Sequence, residues 1–157
     1  MSEEKRKHVL SKVHAIASFL AALIIATFFI STIAVELFGS HDAVAALKAL
    51  IVAPGLFVLV PAIAATGGSG FQLSKSRSGS LVAAKKKRMP FIAANGLLIL
   101  IPCAIFLHRL AASGSFGTMF YAVQIIELLA GFTNFLLMGM NIRDGLILGG
   151  RFRTRIS

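Results

Sequence analysis

From Ala15 to Val35 the chain runs 21 residues without a charge or a histidine, and three further stretches have the same character. Ala49 to Thr66 is 18 residues, Met89 to Leu107 is 19, and Gly117 to Met140 is interrupted by Glu127 alone. A helix that crosses a bilayer needs about 20 predominantly apolar residues. All four stretches qualify, the second by extending back through Lys48. Soluble domains carry about a quarter charged residues. Here only 14% of 157 residues are charged, 57% are hydrophobic, and the mean hydropathy is +0.85. The expectation is an all-α integral membrane protein: one four-helix bundle over residues 1–157, with spans at about 13–38, 43–66, 90–110 and 117–141.

The first span follows a basic leader, but its apolar run exceeds the ~7–15 residues of a signal-peptide core. It reads as a retained helix. The net charge of +10 is distributed unevenly. Residues 1–14 hold four Lys and Arg, residues 67–90 hold six, and residues 142–157 hold four; only Lys48 and Arg109 lie elsewhere. In a four-span chain those three segments share one side, which is the positive-inside pattern. Both termini and the central segment are therefore expected in the cytoplasm. There the basic residues can meet anionic lipid headgroups, worth about 1 kcal/mol each near the surface. Nucleic acid is not an expected partner, because no aromatic residues interleave with the run "KKKR".

The connections carry ordinary punctuation. "LFGSHDAV" offers Gly39 to end the first helix and Ser40 or Asp42 to cap the second. Pro54 and Pro61 should kink the second span and Pro102 should bend the third. "TGGSGFQLSKSRSGS" reads as a flexible linker, "LVAAKKKR" as an amphipathic approach to the third span, and Gly145 as a stop for the fourth.

The fourth span holds the candidate site. Gln124, Glu127, Gly131, Asn134, Met138 and Asn141 follow steps of three and four, which puts them on one helix face. Leu128, Leu129, Phe132, Phe135 and Leu136 fall on the others. Asn134 and Asn95 lie at similar distances from the same end of their spans and should meet. Glu127 lies near the midplane, where a carboxylate must be neutral or paired. Lys48 is the cation within reach of both acids, and a cluster of Glu36, Lys48 and Glu127 is one reading. Glu36 matches Lys48 more closely in depth, so Glu36–Lys48 is the expected ion pair. Glu127 is then expected to be neutral and free to hold a proton or a ligand.

The four histidines bear on haem b. No two share a deep level on neighbouring spans, as a paired-histidine site would require. The remaining candidate ligand sets are His14 with Met138, by analogy with His/Met ligation, and His41 with His108, which could equally hold a metal. Cys103 is alone and can form no internal disulfide. The chain lacks phosphate-loop, Cys-x-x-Cys, His-Glu-x-x-His and Gly-x-Ser-x-Gly motifs, so enzymatic activity is not expected.

At "KKKRMPFIAANGLLILIP" and "NIRDGL" the chain resembles small four-span inner-membrane proteins of bacteria. The resemblance covers mainly the third and fourth spans. It implies the bacterial cytoplasmic (inner) membrane and carries over no catalytic residues. Three functions are compatible with these features. The leading one is an accessory or scaffold subunit, in a homo-oligomer or a larger membrane complex. The second is a haem b- or quinone-binding redox protein, and the third a proton-coupled small transporter working as an oligomer through Glu127.

Overall fold

The computed structural model describes residues 2–75 and 78–149. Nearly all of them lie in four helices: α1 (Glu3–Phe38), α2 (His41–Lys75), α3 (Ser80–Ala112) and α4 (Thr118–Leu148). No strand occurs among the described residues. Each helix is long and apolar enough to cross a membrane. Of the basic segments, Arg77, Arg151, Arg153 and Arg155 lie outside the described residues.

The helices outrun their apolar stretches. α1 starts at Glu3 rather than near residue 13. α2 continues through "TGGSGFQLSK", where a flexible linker is expected, and α3 takes "LVAAKKKR" as its first turns. α4 passes Gly145 and ends at Leu148, with Gly149 as its cap residue. A formed helix gains one hydrogen bond for each residue it adds, and a glycine costs only about 1 kcal/mol within it. Packing offsets that cost at Gly70. A Cβ there would fall 2.9 Å from His14 Cε1 and 3.0 Å from Met89 Cε, so the missing side chain lets α1, α2 and α3 converge.

At the opposite end of the bundle, Ser40 Oγ accepts a hydrogen bond from the Ala43 amide and caps α2. The α3–α4 connection turns through Gly114, whose φ of +69° is open to glycine at little cost. Consecutive helices run antiparallel, and the four form a ring. α1 and α3 each pack against both α2 and α4, which leaves α2 facing α4 across the diagonal.

Two apolar clusters hold the ring together. Ala21, Ile25, Leu59 and Ala62 lock α1 to α2, with Met138 of α4 against them. Val44, Leu107, Ala111 and Phe120 join α2, α3 and α4 near the two short connections. Phe19, Leu23, Leu98, Ile125 and Leu129 face outward and are exposed. Asn95, Gln124, Asn134, Asp144 and even Lys48 are buried. Carbon outside and polar groups inside is the arrangement of a bundle solvated by hydrocarbon.

Prolines distort α2 and α3 at two places. At residues Ile51–Gly55 α2 is broken by a kink, across which the Leu56 amide bonds to the Ile51 carbonyl. Gly96–Leu100 of α3 forms a π-type turn, closed from the Ile101 amide to the Gly96 carbonyl. Ala53 leaves helical geometry altogether (φ −142°, ψ 114°), and the Ala53–Pro54 peptide is cis. A residue before proline is sterically pushed towards extended conformations. In α3 the irregularity precedes Pro102 by one turn, because proline has no amide to offer the Leu98 carbonyl.

Candidate functional site

The polar face of α4 points into the ring. Gln124, Gly131 and Asn134 are buried and Glu127, Met138 and Asn141 partly so, while Ile125, Leu129, Phe132, Phe135 and Leu136 are exposed. Leu128, grouped above with the outward residues, is partly buried instead.

Lys48 lies on the stripe Val44, Lys48, Ile51, which faces the centre of the bundle from α2. Its side chain is 0% exposed and crosses the diagonal to α4, where Nζ donates to Glu127 Oε2 at 2.5 Å. Gln124 Nε2 donates to the same oxygen at 3.1 Å. The expected Glu36–Lys48 pair is thus replaced by Lys48–Glu127, and Glu127 is not the unpartnered carboxylate expected. Matching by depth treats each helix as a line. The partner is decided by the rotation of each helix about its axis, and that rotation aims Lys48 at α4. Glu36 lies in the electrostatic reach of Lys48, Glu127 and His41, but its Oε1 is buried without a hydrogen bond.

Lower on the same face, Asn95 Nδ2 donates to Asn134 Oδ1 and to the Ala130 carbonyl, both at 2.9 Å. Asn134 Nδ2 in turn reaches the Ile92 carbonyl at 3.3 Å. Interhelical bonds of this kind average about 0.6 kcal/mol in membranes, with about 1.7 as the maximum found. Asn134→Leu removes two of them while Asn95 keeps its bond to Ala130. The expected loss is about 1–2 kcal/mol in reversible unfolding from mixed micelles. A loss above about 4 kcal/mol would show that Asn134 does more than fix packing.

A second ion pair lies nearer the termini, on residues that the sequence reading passes over. Arg88 Nη1 donates to Asp144 Oδ2 at 2.6 Å and to Asn141 Oδ1 at 3.4 Å, tying the start of α3 to the end of α4. Arg143 Nε lies 3.5 Å from Asp144 Oδ1. Asp144 is buried to 1% exposure. The signal was available in the spacing, since Asp144 follows Asn141 by three residues and continues the inward face.

The histidines are used locally. His14 Nδ1 donates to the Thr66 carbonyl at 3.1 Å, with Ser69 Oγ equally close, joining α1 to α2. Met138, named above with it as a candidate ligand, packs on the α1–α2 apolar cluster. His41 stacks on Phe116 with ring centroids 4.0 Å apart. His108 Nδ1 is buried without a partner. Among the described residues, no group of three or more His, Cys, Asp and Glu side chains is placed to hold a metal ion.

Residues of all four helices line an open-sided cavity of about 320 Å³. None of His14, Met138, His41 and His108 is among its lining residues. Glu127 is its one ionisable wall residue, and Thr32 contributes a hydroxyl.

Against models of protein families, curated proteins and solved structures, the chain finds no match.

Proposed function

We propose that this chain is a multi-pass protein of the bacterial cytoplasmic membrane that serves as a non-catalytic accessory or scaffold subunit, in a homo-oligomer or a larger membrane assembly. One observation carries this reading. The polar groups of α4 turn inward and bond to groups of the same chain, and the outward faces of the helices are carbon. An inward polar seam specifies how helices pack more than it creates their attraction. The outward faces are left for lipid or for the apolar helices of a partner. A transport path through one copy is disfavoured, because the seam is bonded to itself rather than lining an aqueous route.

The orientation follows from charge. The basic residues of segments 1–14, 67–90 and 142–157 put both termini and the α2–α3 connection in the cytoplasm, against anionic headgroups. Reporter fusions after Ser74 and after Ile156 should read cytoplasmic, and one after Ser115 external. An external signal at Ser74 would reverse the orientation. Extraction in mild detergent should release the 16.7 kDa chain in a distinctly larger particle. A monomer under every gentle extraction would overturn the accessory reading.

A further inference from the structure

The two proline-linked distortions open a single space. The kink of α2 gives Ile51 to the wall of the cavity, the π-type turn of α3 gives Gly96 and Leu100, and Phe28 of α1 closes another side. About 320 Å³ reaches the lower end of the range for small-molecule sites. A π-type turn such as that of α3 recurs at functional sites. Water is a poor occupant here. Buried water needs about two to four polar partners, and the wall is carbon apart from Thr32 and Glu127.

The polar end has a definite chemistry. Both hydrogen bonds that Glu127 accepts fall on Oε2, from Lys48 and Gln124. Oε1 accepts none from the described residues, which leaves it for an occupant. Lys48 is wholly buried and offers no ammonium of its own to the cavity. It fixes the carboxylate and keeps a negative oxygen there. Such an oxygen accepts O–H donors and repels acids. Thr32 can donate or accept beside it.

We propose that this cavity binds an uncharged, membrane-soluble molecule that presents a hydroxyl to Glu127 Oε1 and Thr32 and lays a hydrocarbon body between the kink of α2 and the π-type turn of α3. Prenylated quinols and long-chain alcohols share this chemistry. Val60 of α2 and Leu97 of α3 line the cavity and are also exposed on the outer surface, so the mouth opens sideways between those helices. The site rests on the membrane reading above but not on the accessory role.

The test uses the full chain in nanodiscs of defined phospholipid, with a radiolabelled short-chain prenylated quinol as probe. Its di-O-methyl ether and a saturated long-chain alcohol serve as comparisons. Saturable binding of one quinol per chain is expected above the uptake of protein-free discs. The ether should bind about tenfold or more weakly, the effect of losing one hydrogen bond to a charged group. Leu97→Trp narrows the mouth from the outer surface without entering the core. It should weaken binding by about tenfold or more, on the same tenfold scale, while elution and thermal stability stay unchanged. Thr32→Val, close in shape, should weaken it less.

Equal binding of the long-chain alcohol would also support the site and assign it to chain alcohols rather than rings. Quinol uptake no greater than in protein-free discs overturns the proposal. Equal affinity for quinol and ether overturns the role of Glu127. A chain that fails to enter nanodiscs at all overturns the membrane reading instead, so the two failures are distinguishable.

Discussion

Glu127→Gln is expected to destabilise the bundle more than any other single change at the polar seam, by about 3–5 kcal/mol, the cost of leaving one member of a buried pair unmatched. The substitution is nearly isosteric, so the loss is electrostatic. Lys48 is 0% exposed and held across the diagonal, with Glu127 as the carboxylate that bonds its ammonium. Lys48→Met should cost less, about 1–3 kcal/mol, because a carboxylate left behind can take up a proton and Gln124 still donates to it. Combining the two should recover most of the loss, since an apolar residue beside an amide leaves no buried charge. Reversible unfolding in mixed micelles at pH 7 measures all three variants. A double variant whose loss equals the sum of the single losses would show that the pair is not coupled.

The second large effect is expected at Arg88 and Asp144, and it should be unequal between the partners. Arg88→Met strands a carboxylate that is 1% exposed, with Arg143 Nε still 3.5 Å away. A loss of about 2–3 kcal/mol is expected, below the full cost for a buried pair because Arg143 still compensates in part. Asp144→Asn should cost about 1 kcal/mol. The Arg88 side chain is 25% exposed and long enough to carry its charge towards water. The amide also keeps an oxygen to accept from it. The same unfolding assay decides the order. Equal losses, or a larger loss from Asp144→Asn, would mean that Asp144 is not the buried partner the geometry indicates.

Much of the architecture is legible in local pattern. Four apolar runs of helix-spanning length, bounded by charge, translate directly into α1 to α4 because each is long enough to bury its own backbone polarity. The inward face of α4 is legible as well, since steps of three and four residues trace one side of a helix whatever it packs against. Asn95 and Asn134 fall at one level by the same counting, and they bond at 2.9 Å. Helix length is less legible. "TGGSGFQLSK" reads as a linker by composition, yet its glycines serve close packing at Gly70 and the helix runs on to Lys75.

What the amino-acid sequence alone determines about this protein is therefore the set of distances along each helix and the face each residue occupies. What only the tertiary structure decides is how those faces are turned towards one another. Lys48 and Glu36 match in depth, but the ring places α2 opposite α4, and the lysine follows the stripe of Val44 and Ile51 to Glu127. Pro54 and Pro102 announce irregular backbone without saying that the two distortions will border one space. The physical reason is the same in both cases. Rise per residue and the missing amide of proline are properties of a single helix, whereas azimuth and cavity volume belong to the packing of four.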